Sequence, residues 1–84
     1  MTIDKAFQQV KDELLQAQQN YPTFNTAHEG YAILLEEVEE LWEEIKHRPR
    51  TRSISRMRAE AIQIAAMAIR FMVDVCKEEE EGIV

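Results

Sequence analysis

The amino-acid sequence predicts an all-α protein of three helices that associates with further copies of itself through the second and third. Three observations carry this. Among 84 residues there are only two Gly and two Pro, too few for the turns of an all-β fold. Glu, Ala, Gln, Leu and Arg dominate the composition, and all are good helix formers. Three stretches repeat apolar residues at three- and four-residue spacing, separated by segments that contain Pro22 and Pro49.

The first helix is expected from about Thr2 to Gln19. Ile3, Phe7, Val10, Leu14 and Ala17 form its apolar stripe, and Thr2 is placed to cap it. Asn20-Tyr21-Pro22 ends it, because a residue before proline avoids the helical region. The second helix should start at Thr26, where Thr26-Ala27-His28-Glu29 fits a capping box. Ala27, Tyr31, Leu34, Leu35, Val38, Leu41, Trp42 and Ile45 then make one apolar face, with Trp42 read as core and His28 as a residue of the capping turn. The helix should stop near His47, ahead of Pro49. A loop rich in Arg follows. Ser53 or Ser55 can cap a third helix that runs to near Lys77.

That third helix is apolar over an arc of roughly 220°, where a helix on the outside of a globule needs about 100°. Neighbours on two or more sides are implied, and a second copy of the chain would supply them. Residues 1–84 read as a single domain, with 78–84 as a flexible acidic tail. Met57, Met67 and Met72 read as core filler and Cys76 as a small buried hydrophobe. One cysteine makes neither an internal disulfide nor a multi-cysteine zinc site, which suits a reducing, cytoplasmic setting. The formal net charge of -6 makes nucleic acid a poor partner. No apolar run is long enough to span a membrane, and the first residues lack the apolar stretch of a secretion signal.

The chemistry-bearing residues sit on the second and third helices. Glu36, Glu37, Glu39, Glu40, Glu43 and Glu44 occupy six of nine consecutive positions. At about 100° per residue, Glu37, Glu40 and Glu44 line one flank within about 60°. Like charges three and four apart repel, so something should offset them. On the third helix Arg56, Glu60, Gln63, Arg70 and Asp74 share a strip roughly 80° wide. An antiparallel hairpin would bring the Glu37–Glu40 pair opposite the Glu60–Gln63 pair. Four oxygen donors would then converge, as a hard cation such as Mg²⁺ requires. A solvated acidic flank is the competing explanation for Glu37 and Glu40, and a lone solvent face the competing one for the strip.

Glu36-Glu37-Val38-Glu39-Glu40, followed by Glu60-Ala61-Ile62-Gln63, resembles the E-E-x-x-E … E-x-x-D signature of MazG-like, all-α nucleoside triphosphate pyrophosphohydrolases. The similarity runs from Phe24 to about Asp74. The resemblance implies a hairpin that pairs with another subunit into a four-helix bundle, in a homodimer or homotetramer. It implies cleavage of a nucleoside triphosphate to monophosphate and pyrophosphate with Mg²⁺, for which Mn²⁺ can substitute. On that resemblance Glu37, Glu40 and Glu60 fall on metal-ligand positions, joined by Gln63, and Glu36 and Glu37 on catalytic ones. Gln63 departs from the pattern: an amide stands where the family carries Asp, so one negative charge is missing. The chain is then either a weakened or specialised hydrolase or a catalytically silent nucleotide-binding or regulatory module.

Six of the ten basic residues lie between Lys46 and Arg58. Arg56, Arg58 and Arg70 are the candidates for gripping a triphosphate. Arg48, Arg50 and Arg52 are read first as complementing the carbonyl end of the second helix and its acidic surface, with a phosphate clamp as the alternative. Phe24 and Tyr21 precede that helix and can either staple its start or flank a nucleobase.

Overall fold

The computed structural model describes residues 1–77, so the expected acidic tail lies outside the described residues. Its elements are α1 (Ile3–Asn20), α2 (Ala27–Ile45) and α3 (Ile54–Asp74), with no strand among the described residues. Each start is fixed by a hydroxyl cap. Thr2 Oγ1 accepts from the Lys5 amide at 3.1 Å, Thr26 Oγ1 from Glu29 at 3.0 Å, and Ser53 Oγ from Arg56 at 3.1 Å. The Glu29 carboxylate of the expected capping box reaches one residue further back and accepts from the Asn25 amide at 2.6 Å.

The end of α2 is closed by Arg52. Its Nε and Nη2 donate to the Ile45 carbonyl at 3.1 and 2.7 Å, and Nη2 donates to the His47 carbonyl at 3.1 Å. A cation on otherwise unpaired carbonyls satisfies them and suits the negative end of the helix dipole. Helix α3 ends at Asp74, one turn short of the expected Lys77.

Helix α3 is central: it packs on α1 and on α2, and those two do not pack on each other. Contacts along the α2–α3 pair run in opposite directions. Gly30 faces Phe71, Glu37 and Glu40 face Glu60, and Glu44 meets Arg56, so the hairpin is antiparallel. The buried apolar core is small, comprising Ala17, Phe24, Ala66 and Met67, with Val10, Leu14, Ile33, Leu34, Phe71 and Val75 packed around it.

Several apolar residues lie elsewhere than expected. Trp42 is 56% exposed, with Tyr31, Leu35 and Val38 exposed on the same side of α2. The reason is geometric: α3 covers only the side of α2 that carries Gly30, Leu34, Glu37, Leu41 and Ile45. Ile3 and Phe7 are exposed because only the second half of the α1 stripe meets α3. Met72 is exposed where core was expected, and Cys76 lies exposed just past the end of α3.

Gly30 marks the closest approach of α2. A Cβ there would stand 2.7 Å from Phe71 Cδ2 and 3.0 Å from Phe24 Cδ2. Alanine favours a helix by about 1 kcal/mol over glycine, whereas overpacking costs about 1–3 kcal/mol. Phe24 is buried and Phe71 packs against the core, so both rings must shift to admit the methyl, and Gly30→Ala is expected to lower stability despite its better propensity. A urea midpoint equal to or above wild type would contradict this packing.

Candidate functional site

Helices α1 and α2 stand on the same side of α3 without touching, and the space between them is a cleft of about 620 Å³. Ala17 of α1, Ile33 of α2, and Ala59 and Met67 of α3 supply apolar lining. Glu36, Glu37 and Glu40 enter from α2, Glu60 and Gln63 from α3, and Glu13 from α1. Tyr21, Pro22 and Phe24 of the α1–α2 connection, with Arg70 of α3, line it as well.

The predicted meeting of the two helices takes place. One carboxylate oxygen from each of Glu37, Glu40 and Glu60 lies within 4.8 Å of the others. Glu37 and Glu60 are half-buried and Glu40 is exposed. Glu37 and Glu40 are one turn apart, and the antiparallel partner offers Glu60 opposite them. Gln63, one turn on from Glu60, lines the same cleft and is half-buried.

Electrostatics records the crowding. Partial desolvation, reinforced by the charges of Glu40 and Glu60, pushes the Glu37 carboxyl up from 4.5 to about 7. Desolvation followed by the charge of Glu40 raises Glu60 as well. Three carboxylates this close repel one another, and a proton or a cation among them relieves the repulsion. The donor set is all oxygen, which fits a hard divalent ion rather than a thiophilic one.

The pH dependence follows with a definite sign. A carboxyl raised in the folded state binds its proton more tightly there than in the unfolded chain. Its contribution is present in full below 4.5 and is lost as pH rises through about 7. In chelator, the melting temperature is therefore expected to fall between pH 5 and 7.5, and saturating Mg²⁺ should flatten the fall. A chelated protein that gains stability across that window would show that the triad does not behave this way.

The basic candidates separate. Arg56 is exposed and donates from Nε to Glu44 Oε1 at 3.0 Å, one turn beyond the triad on both helices. Arg58 is exposed on the same turn of α3. Arg70 is buried: its side chain is 3% exposed, Nη2 donates to the Pro22 carbonyl and stands 3.6 Å from Asp74 Oδ2. The Arg70 guanidinium also lies 4.7 Å from the centroid of the Phe24 ring. Asp74 Oδ2 accepts from the Phe24 amide at 3.0 Å, so it serves this junction and not the triad.

Glu13 lines the cleft without having stood out in the sequence, and Glu29 and Pro22, read there as a capping residue and a helix breaker, line it too. Glu13 precedes Ala17 by one turn at the edge of the α1 stripe, and that position was the available signal. Comparison with models of known families, with curated proteins and with solved structures returns no match.

Proposed function

We propose that the chain is a Mg²⁺-dependent nucleoside triphosphate pyrophosphohydrolase, releasing the monophosphate and pyrophosphate. The convergence of Glu37, Glu40 and Glu60 oxygens within 4.8 Å across the α2–α3 hairpin supports this reading most strongly. It is the donor arrangement that the E-E-x-x-E … E-x-x-Q pattern leads one to expect, in a cleft large enough for a small molecule.

The cleft is lined by six glutamates against one arginine, so it admits a polyphosphate only with cations. Glu37, Glu40 and Glu60 would hold the ion, with the Gln63 amide oxygen as a neutral fourth donor, and Mg²⁺ held there would supply charge screening of the triphosphate and an acidified water. Glu36 takes a proton as water oxygen attacks the α-phosphorus. The bond from that phosphorus to the bridging oxygen breaks, and pyrophosphate leaves with the oxygen. Arg56 and Arg58, one turn from the triad, neutralise the departing phosphates.

Gln63 specifically favours a second reading: with one charge fewer, the site binds nucleotide and ion without turning them over. Pyrophosphate release from a panel of nucleoside triphosphates with Mg²⁺ or Mn²⁺ decides between them. Release supports the hydrolase. Metal-dependent nucleotide binding without release supports the silent module, and neither binding nor release removes both.

We also infer that a second copy covers the exposed side of α2. Tyr31, Leu35, Val38 and Trp42 follow a 4-3-4 spacing, the seam of a pair of packed helices. A homodimer or larger assembly built this way would complete a four-helix bundle. Light scattering is expected to give at least twice the 9.8 kDa chain mass, and Trp42→Glu should shift the distribution to monomer. A folded wild-type monomer at micromolar concentration would remove this inference.

A further inference from the structure

We propose that residues 78–81, four consecutive glutamates, dock on the basic connection between α2 and α3 of a second copy, so that an antiparallel dimer is clasped at both ends. This rests on the self-association inferred above.

The basic connection is an ordered surface. Lys46, His47, Arg48 and Arg50 are all exposed. The Thr51 amide donates to the Arg48 carbonyl at 2.8 Å, and Arg52 ties the segment to the end of α2. Lys46 meets Glu43 at 3.1 Å, but among the described residues no carboxylate pairs with Arg48 or Arg50. Opposite charge lies at the far end of the hairpin. Helix α3 closes on its carbonyl end with no basic residue in the last turn, and residues 78–81 follow in the sequence. Within one chain the two ends do not meet. The 21 residues of α3 separate them by about 31 Å at 1.5 Å per residue, while residues 75–81 span at most about 25 Å.

A second copy brings them together. Tyr31, Leu35, Val38 and Trp42, all exposed on α2, are spaced symmetrically about the midpoint between Glu36 and Glu37. A two-fold axis there sets Tyr31 against the partner's Trp42 and Leu35 against the partner's Val38. Gly30 faces Phe71, so each α3 ends beside the start of its own α2, and the axis places that end level with Lys46 of the other copy. Packed helices stand about 8–10 Å apart, a gap that four extended residues cover at about 3.3 Å each. Charge also chooses the direction. A parallel pair would stack the two basic connections on each other, whereas the antiparallel pair sets each against an acidic run. Exposed pairs contribute little singly, but Arg48 and Arg50 are engaged at both ends, and together they are expected to tighten the dimer roughly tenfold.

The test uses charge variants of the full chain, with dimer dissociation constants from analytical ultracentrifugation and subunit composition from native mass spectrometry. Arg48→Glu with Arg50→Glu should weaken the homodimer roughly tenfold, and Glu79→Lys with Glu80→Lys should do the same. Mixed together, these two variants should form a heterodimer in preference to either homodimer, because each reversed segment then meets its opposite charge. Asp4→Lys with Asp12→Lys adds the same charge at exposed positions of α1 and should show no such preference when mixed with the first variant. Variants that dimerise like wild type overturn the clasp and leave the dimer standing. Equal rescue by the α1 control overturns it too, since overall charge would then suffice. Recovery only when both reversals share one chain would put the contact within a chain, against the proposal. A wild-type monomer removes the clasp and the dimer together.

Discussion

Mg²⁺ should raise the melting temperature of the wild-type chain, and Glu60→Gln should remove most of that rise. On the proposed reading the ion would bind the folded protein and not the unfolded chain, so at about a hundred times its dissociation constant it would add roughly 2.7 kcal/mol. For a domain of this size, 1 kcal/mol moves the midpoint by about 4–8 °C, so the shift is of order ten degrees. The sign in chelator is opposite. Without the ion, wild type carries three mutually repelling carboxylates, and Glu60→Gln or Glu40→Gln relieves one of them. The variants are therefore expected to melt above wild type in chelator and below it in saturating Mg²⁺. Loss of a ligand should also reduce pyrophosphate release by about two orders of magnitude. Gln63→Asp works in the other direction, tightening Mg²⁺ while lowering metal-free stability. Parallel shifts for wild type and all variants would mean that these acids form a solvated flank.

Asp74→Ala is the substitution expected to cost most in folding. The carboxylate is buried, accepts from the Phe24 amide, and stands opposite the buried Arg70 guanidinium. Removing it leaves an unbalanced charge and an unpaired backbone donor, and breaking a buried pair from one side costs about 3–5 kcal/mol. A natural domain of this length has roughly 4–13 kcal/mol in all. Urea melts should show a large fall in midpoint, with a smaller loss for Asp74→Asn, which keeps an oxygen for Phe24. Pairing Asp74→Leu with Arg70→Met should recover the part due to the unbalanced charge, while the Phe24 amide and the Pro22 carbonyl stay unpaired. A loss below about 1 kcal/mol would place the pair among weak surface contacts.

The helices were readable because their signals are local. Thr2, Thr26 and Ser53 each precede an apolar stripe and each caps it. The triad was readable for a similar reason: Glu37 and Glu40 share a flank at one-turn spacing, and a short connection forces an antiparallel partner carrying Glu60. Arg70 and Asp74 were visible as an i,i+4 pair on a polar strip. Their burial depends on where the 21–26 connection lies, which no periodicity encodes. Trp42 misled because a helix pattern shows how wide an apolar face is, not how much of it one neighbour covers. Glu13 went unnoticed because α1 carries no motif, and its place on the cleft follows only from the way α1 docks on α3.

The junction at Pro22 and Phe24 also orders events during synthesis. It is held by Arg70 and Asp74, which lie 48 and 50 positions later in the chain. Such distant partners are slow to find one another, and here they are not yet made when the segment they secure leaves the ribosome. α1 and α2 do not pack together, so neither stabilises the other in the interval. A nascent chain halted before Arg70 therefore has helical segments but no closed cleft. Closure of the cleft therefore waits until the last turn of α3 has left the ribosome, and protease protection of nascent chains should appear abruptly at that point.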